Sequence, residues 1–256
     1  MNLKFDLSLA EGYKSRTQQS RRLTEGWVGD NLFCPRCGYG RIEHFDNNRP
    51  VADFCCPKCG GQYELKSKRG GIGGRICGGA YETMIERITS SSNPDFLFLS
   101  YSPSEMRVTN LIVVPKHFFV PSIIEKRKPL APSARRHGWV GCNILLSYVP
   151  EQGRIAIIQN GAEIPAEQVI AKLNRSTALA KKDLSSRGWL FDVLNCVNTI
   201  SGDMFTLADM YGFEEILSKA HPDNHNIKAK IRQQLQILRD AGYLEFLERG
   251  KYRRLY

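Results

Sequence analysis

Two kinds of hydrophobic pattern share the first 180 residues. Residues 95–101 and 108–114 are rich in aromatic and β-branched side chains and predict strands, and residues 154–159 repeat that character. Residues 4–29 and 80–88 mix apolar and polar positions in a way that predicts helices. Strands that alternate with helices indicate an α/β domain built around a central sheet.

A different pattern follows residues 174–187, which are polar and contain no aromatic residue. We interpret this stretch as the boundary between domains at residues 1–182 and 183–256. The second domain is expected to contain three helices and a hairpin, at residues 189–200, 206–219, 226–241 and 243–254. The third helix carries a stripe of apolar residues at helical spacing, formed by Ile227, Ile231, Leu235 and Leu238.

Local signals mark several element ends. Thr206 is a plausible N-cap of the second helix of this domain, and Gly242 follows its third helix as a C-terminal signal. The glycine-rich residues 70–79 predict a mobile loop. Three helices followed by a hairpin with a basic return strand predict a winged helix-turn-helix domain.

Charge is concentrated in the first domain. The chain has 256 residues and a net charge of +10, and all of this excess lies in residues 1–182, which hold 26 Lys and Arg against 16 Asp and Glu. A basic surface attracts nucleic acid without reading its sequence. Double-stranded DNA is the expected partner, with no obligate protein partner. No apolar stretch is long enough to span a bilayer, and residues 1–9 do not resemble a secretory signal, so a cytoplasmic protein is expected.

Two C-x2-C pairs lie 18 residues apart, which is the spacing of a four-cysteine zinc site. The predicted zinc ligands are Cys34, Cys37, Cys56 and Cys59. Cys55 is adjacent, but only Cys56 gives the two-residue gap. Four thiolates close the coordination shell, so the metal would be structural. The remaining cysteines, Cys77, Cys142 and Cys196, are isolated and read as core residues.

Short strand-like segments precede and follow the second cysteine pair, which would be the turn of a hairpin. Side chains alternate along a strand, so Glu64 and Lys66 share a face, and Asp53 on the paired strand can meet them. Carboxylates bind Mg²⁺, which polarises a phosphate and lowers the pKa of a bound water, while a lysine holds that water or stabilises developing charge. We therefore predict that Asp53, Glu64 and Lys66 are catalytic and that Asp53, Glu64 and Leu65 form the Mg²⁺ site.

This arrangement resembles the PD-(D/E)xK nuclease superfamily, although Pro50 stands three residues before Asp53 rather than beside it. An E-x-K pattern alone is common on solvated strand edges. Lys68 and Arg69 directly after it, together with a DNA-reading domain downstream, favour the nuclease interpretation. Glu25, in the first helix, could supply a further acid to this cluster, although a surface carboxylate is the simpler interpretation.

Candidate DNA contacts lie on the third helix and the wing of the second domain. Arg and Gln side chains recognise guanine and adenine edges in the major groove. In the first domain a tryptophan beside a basic segment could stack on a base, although a core position explains it equally well. The predicted contact residues are Lys228, Lys230, Arg232, Gln233, Gln236, Arg249, Lys251, Arg253 and Trp139.

Longer stretches resemble DpnI-type restriction endonucleases over essentially the whole chain. The resemblance rests on FDNNRPVADF at residues 45–54, ELKSK at 64–68, KPLAPSARR at 128–136 and IRQQLQILRD at 231–240. It implies a Type II enzyme that cuts duplex GATC between N6-methyladenine and thymine, with a winged helix that also binds the methylated site. It also implies that the acids, the lysine and the zinc cysteines are those predicted above. Cys55 and the glycine-rich segment after Arg69 depart from the pattern.

Two other functions compete with this interpretation. A non-enzymatic regulator with a zinc ribbon and a winged helix would need no cluster of Asp53, Glu64 and Lys66. A repair or junction nuclease of the same superfamily would keep that cluster but would select DNA structure instead of sequence. Residue patterns alone determine neither the GATC site nor the methyl dependence, which come from the resemblance.

Overall fold

The computed structural model describes residues 1–45, 52–90, 92–181 and 183–256. Its helices are α1 (Arg16–Asn31), α2 (Tyr81–Thr89), α3 (Ala166–Ser176), α4 (Leu184–Thr199), α5 (Leu207–Tyr211), α6 (Glu214–Ala220) and α7 (Ile227–Asp240). Its strands are β1 (Glu43–His44), β2 (Phe54–Cys55), β3 (Gln62–Arg69), β4 (Arg75–Ala80), β5 (Asp95–Ser102), β6 (Arg107–Val114), β7 (Ile124–Lys126), β8 (Gly141–Leu145), β9 (Ile155–Gln159), β10 (Ala162–Glu163), β11 (Met204–Thr206), β12 (Leu244–Glu248) and β13 (Lys251–Arg254). Among these helices, none is both long and apolar enough to cross a lipid bilayer.

The largest sheet has seven strands in the order β1-β2-β3-β5-β6-β9-β10. β3 and β5 are parallel, with Tyr63 beside Asp95 and Arg69 beside Tyr101, and the chain between them passes through β4 and α2. Parallel neighbours need such a crossover because a tight turn cannot join them. The other pairs in this sheet are antiparallel. The α/β architecture predicted from the sequence is confirmed.

The central strand β5 is buried on both faces, and its side chains alternate between two cores. Leu97 faces a core that it shares with Trp27 of α1. Phe98 faces a second core that contains Met84 of α2. A strand that is covered on both faces has apolar side chains at nearly every position, which is why the sequence of residues 95–101 predicts a strand so clearly. The neighbouring strand β3 therefore lies between α1 and α2.

The C-terminal region has the elements of a winged helix-turn-helix. Helices α4 to α7 pack beside a three-stranded sheet in the order β11-β13-β12. The predicted stripe on α7 is confirmed, since Ile227, Ile231, Leu235 and Leu238 are all buried. Gly250, which has φ of +77°, lies in the turn that joins β12 to β13 to form the wing.

The C-terminal region shares a hydrophobic core with the first region. The rings of Phe118 and Phe191 stack with centroids 4.7 Å apart, and both residues belong to the core that contains Met84. At the edge of this contact the amides of Gln152 and Asn198 exchange two hydrogen bonds of 3.1 Å. The polar stretch at 174–187 is largely helical, and the division between residues 182 and 183 stays a prediction.

The structure corrects three element assignments. Residues 75–80 of the glycine-rich segment form β4, which pairs with β8, so the segment is not simply a loop. The first helix begins only at Arg16, after a short 3-10 turn at Leu7–Ala10. The expected single helix at 206–219 is two helices, α5 and α6, preceded by strand β11.

Candidate active-site cleft and cysteine cluster

An open cleft lies along β3, between α1 and the end of α2. Its volume is about 730 Å³, and residues of both faces of β3 reach it. β2 pairs with β3 only at Gln62 and Tyr63, so the described part of β2 does not cover β3 beyond that point. The charged residues that line the cleft are six bases, Arg16, Arg21, Lys66, Lys68, Arg69 and Arg87, and three acids, Glu25, Asp53 and Glu64. This excess of basic residues suits a polyanionic ligand.

Glu64 and Lys66 lie on one face of β3, as the period of a strand requires. Lys66 Nζ is 2.5 Å from Glu64 Oε1. The Glu64 side chain is only 8% exposed, and its other carboxylate oxygen accepts a hydrogen bond from Arg87 of α2. A carboxylate that is buried to this degree needs such partners, because an unpaired buried charge is costly.

Asp53 lies in a bend just before β2 and enters the same cleft. Its Oδ2 accepts a hydrogen bond of 2.7 Å from the N–H of Leu65, and its own N–H donates to the carbonyl of Tyr63 at 3.0 Å. These two bonds fix the aspartate against β3, beside Glu64. The predicted hairpin is therefore present, with β2 and β3 antiparallel. Residues 50 and 51, which belong to the expected strand and to the nuclease pattern, lie outside the described residues.

The donor set of the cleft fits a hard divalent cation. Asp53 and Glu64 offer carboxylate oxygens, which are the ligands that Mg²⁺ prefers, and both residues line one solvent-accessible cleft. Leu65 lies between the two carboxylates, with its N–H already donated to Asp53. Its side chain packs against the core on the α1 side, as the strand alternation predicts.

Six of the charged residues that line the cleft were not predicted as site residues, among them Glu25 and Arg21 of α1. The interpretation of Glu25 as a surface carboxylate is wrong, because its side chain is 14% exposed and lines the cleft, 2.6 Å from Arg21 Nε. This contact raises the pKa of Arg21, through the hydrogen bond to Glu25. Thr17, Ser20 and Thr24 recur at helical spacing beside them, and this polar stripe was the available signal.

The four predicted zinc ligands come together at one end of β3. Their sulfur atoms all lie within 4.8 Å of one another, with Cys34 and Cys59 3.6 Å apart and Cys37 and Cys56 3.7 Å apart. Cys56, and not Cys55, belongs to the cluster, as the spacing predicted. Burial raises the pKa of the Cys34 thiol to about 12, so metal binding there must displace a proton. Four sulfurs at these distances fit zinc.

Two contacts connect the cysteine cluster to the central sheet. Arg36, inside the first cysteine pair, donates two hydrogen bonds to the buried carboxylate of Asp95 on β5, at 2.7 and 3.0 Å. The hydroxyl of Tyr63, one residue before Glu64, is 3.1 Å from the sulfur of Cys34. The cluster therefore holds the start of β3 in place, next to the cleft.

The other cysteines were interpreted as core residues, and this is correct for Cys142 and Cys196, which are buried. It is wrong for Cys77, which is exposed on β4. Its sulfur lies 3.6 Å from Arg127 and 3.8 Å from Asn143. The short strand β4 carries it on its solvent face, which the glycine-rich sequence around it did not reveal.

The residues predicted to contact DNA in the C-terminal region lie at its surface. On α7, Lys230 is half-buried and the others are exposed, and the three residues of the wing are exposed. Several of these side chains have partners within the domain. Arg232 donates to the hydroxyl of Tyr211 at 2.6 Å, and Lys228 lies 3.2 Å from Glu214. On the wing, Lys251 pairs with Glu248 and Arg253 with Glu245.

Trp139 lies in the loop between β7 and β8, apart from the residues that line the cleft. It is half-buried, and the guanidinium of Arg136 lies 4.8 Å from the centre of its ring. Its ring also covers Gly141, where a Cβ would approach within 2.7 Å. The sequence suggested either a tryptophan that stacks on a base or a core tryptophan. The half-buried ring has features of both, since one part of it is packed and the rest is accessible.

Two family models match the chain. The model of the DpnI family, described as the Dam-replacing family, matches residues 1–182. The model of the Dam-replacing HTH domain matches residues 185–254. Together they cover the cleft, the cysteine cluster and the helix-turn-helix region. The chain therefore belongs to the DpnI family of restriction endonucleases, with the C-terminal helix-turn-helix domain of that family.

Proposed function

We propose that the chain is a Type II restriction endonuclease that hydrolyses both strands of DNA at GATC when the adenine is N6-methylated. The observation that carries the nuclease assignment is the meeting of Asp53, Glu64 and Lys66 in one basic cleft. The GATC site and the methyl requirement rest on the resemblance to the family. Because DNA is the substrate, the expected cytoplasmic location belongs to this proposal.

Within this proposal the cleft has the PD-(D/E)xK arrangement, and Asp53 and Glu64 would hold the Mg²⁺ ion. When bound there, Mg²⁺ supplies Lewis acidity toward the phosphate and a bound water of lowered pKa. Asp53 is suited to the task because the bond from the Leu65 N–H to its Oδ2 fixes the carboxylate in the cleft. Leu65 is the third residue of the proposed Mg²⁺ site, and its backbone N–H holds Asp53 in position.

Lys66 orients the attacking water and stabilises the charge that develops on the phosphate. The water oxygen forms a bond to phosphorus as the bond from phosphorus to O3′ breaks. The proton released by the water leaves to solvent, and O3′ takes up a proton, which gives a 5′-phosphate and a 3′-hydroxyl. The cut falls between methyladenine and thymine.

The second DNA contact is the winged helix of residues 183–256, with α7 as the recognition helix. Its exposed Arg232, Gln233 and Gln236 have the side chains that read purine edges in the major groove. The basic residues of the wing contact phosphates. Lys251 and Arg253 are paired with Glu248 and Glu245, and these ion pairs must break before the two side chains can bind DNA. Zinc in the cysteine cluster has a structural role only.

The test is to digest Dam-methylated and unmethylated plasmids side by side, with Mg²⁺ and with EDTA. Discrete fragments from methylated plasmid in Mg²⁺ alone are expected. A non-enzymatic zinc-ribbon regulator would bind both plasmids and cut neither. A repair or junction nuclease would cut branched DNA and leave a linear methylated duplex intact.

A further inference from the structure

The carboxylate of Glu64 is shared by two cations that come from different elements. Lys66 reaches one oxygen along β3, and Arg87 reaches the other from the last turn of α2. The proposed mechanism uses Lys66 and leaves Arg87 without a role. Both cations are largely shielded from solvent, with side chains 24% and 21% exposed. Charges in such a position interact more strongly than charges in open water.

Lys66 and Arg87 share one buried carboxylate, in a cleft that Arg16, Lys68 and Arg69 also make basic. The cleft lining stays net positive when all three of its acids are counted, since six basic residues line it. A phosphodiester carries the opposite charge, and the additional negative charge of its transition state increases the attraction. A guanidinium matches phosphate oxygens better than an ammonium because it is planar and binds with a fork of N–H donors.

The position of Arg87 is fixed by the end of its helix. Its carbonyl accepts hydrogen bonds from both the N–H and the hydroxyl of Ser90, at 3.1 and 2.8 Å. Met84 and Ile88, on either side of Arg87 in sequence, are buried in the core beneath α2. The guanidinium therefore extends from a helix end that is anchored by these bonds and by the core, which limits the reorganisation needed to act on a bound phosphate.

We propose that Arg87 is a further catalytic residue, whose guanidinium binds a non-bridging oxygen of the scissile phosphate. This proposal rests on the proposed function. As the water oxygen bonds to phosphorus and the bond to O3′ breaks, negative charge accumulates on the non-bridging oxygens, and Arg87 stabilises it. Arg87 neither donates nor accepts a proton in this step. In the structure the same guanidinium is held at the cleft by its contact with Glu64.

The experiment compares Arg87→Gln, Arg87→Lys and a control, Arg107→Gln, in the full-length protein. Arg107 also pairs with a glutamate, Glu105, but it lies on β6 and outside the cleft lining. Cleavage of a methylated duplex is measured under single turnover at several Mg²⁺ concentrations. DNA affinity in EDTA, Ca²⁺ binding by calorimetry and zinc content are measured on the same samples.

For Arg87→Gln we expect the cleavage rate at saturating Mg²⁺ to fall by about 10²–10³-fold, the loss typical of one transition-state donor. Arg87→Lys should lie between this variant and the wild type, because it keeps the charge without the fork. Zinc content and DNA affinity in EDTA should change little, and Arg107→Gln should cleave like the wild type.

Three outcomes would overturn the assignment. If Arg87 only neutralises Glu64, the loss in Arg87→Gln will disappear when Mg²⁺ is raised and Ca²⁺ affinity will change. If both Arg87 variants cleave at the wild-type rate, the residue has no catalytic role. If the wild-type protein cleaves no methylated duplex, both the proposed function and the assignment of Arg87 are wrong. If the wild-type protein cleaves and the Arg87 variants cleave equally well, only the assignment of Arg87 is wrong.

Discussion

At the scale of single residues, Lys66 gives the most direct test of the proposed chemistry. Its ammonium lies 2.5 Å from Glu64 Oε1, inside the cleft, where it can orient a water or stabilise charge on a phosphate. Lys66→Ala should lower the single-turnover cleavage rate by roughly 10²–10⁴-fold, the range for a positioned catalytic group, and leave DNA affinity in EDTA largely intact. Lys172→Ala, at an exposed position of α3, is the matched control. Near-normal cleavage by Lys66→Ala would remove the lysine from the mechanism.

His117 predicts how stability depends on pH. Burial lowers the pKa of His117 to about 4, from an ordinary value of 6.5, and its Nε2 has no hydrogen-bond partner within the described part of the chain. The unfolded chain therefore binds this proton more readily than the folded protein does. The contribution of His117 to the free energy of unfolding is fully present above pH 6.5 and is lost as the pH falls toward 4. The loss amounts to roughly 3 kcal/mol at the low end.

Chemical denaturation between pH 7 and pH 5 measures this effect, in a range above the titration of most carboxylates. His117→Gln should flatten the fall in stability over that range, whatever its effect at pH 7. His225→Gln, at an exposed position, should leave the slope of the wild type. Equal slopes in all three proteins would mean that His117 does not control the pH dependence.

The sequence predicted part of the cleft for a clear physical reason. Glu64 and Lys66 are two residues apart, and the period of a strand places them together wherever the rest of the chain lies. Arg87 and Glu25 reach the same cleft from two helices, at distances in sequence that no local period connects. Their positions depend on how α1 and α2 pack on β3, which only the folded structure determines.

At the scale of elements, the cysteine cluster should be a zinc site that stabilises the start of β3. We expect about one zinc per chain, because one four-cysteine cluster binds one ion. Cys56→Ser should lose the metal and destabilise the fold around the cleft, since the energy of zinc binding contributes to folding. Cys77→Ser, an exposed cysteine outside the cluster, should keep the metal. Metal analysis of reduced, active protein that finds no zinc would contradict this assignment.

Two of the incorrectly predicted elements have different physical causes. Glycines at residues 70–79 indicate a loop, yet Arg75 to Cys77 pair with β8, and that partner supplies the hydrogen bonds that define the strand. Helices α5 and α6 were predicted as one helix at residues 206–219. Phe213 adopts a non-helical conformation between them, which ends the first helix and starts the second.

At the scale of the whole molecule, the C-terminal region is packed against the first region through a continuous core. Phe191→Ala removes a buried ring that stacks on Phe118 and should cost about 3–5 kcal/mol. Because the core is shared, zinc and helical signal should be lost in one thermal transition in the wild type. In Phe191→Ala the same single transition should occur at a lower temperature. Ile216→Ala, at a position 61% exposed on α6, is the control and should change little. Two separate transitions in the wild type would show that the regions unfold independently.

This shared core was not predicted, because the sequence pattern of an interface between domains is the same as that of any buried face. The apolar residues at 189–200 predicted the first helix of the second domain, without indicating what that helix packs against. In the structure Phe191 of this helix turns toward Phe118 of the first region, while Leu190 and Leu194 are also fully buried. Local period reveals which face of a helix is buried and leaves its partner undetermined.

The last prediction concerns methylation and rests on the proposed function. N6-methyladenine places its methyl group in the major groove, at the edge that Asn or Gln would otherwise read. Burial of one methyl group contributes only about 1 kcal/mol, which is less than tenfold in affinity. Strong selectivity therefore requires both methyl groups of the duplex to be sensed, with the accessible part of Trp139 as one contact and α7 as the other. Cleavage rates should fall from fully methylated to hemimethylated to unmethylated GATC duplexes. Equal rates on all three would show that this protein does not sense the methyl group.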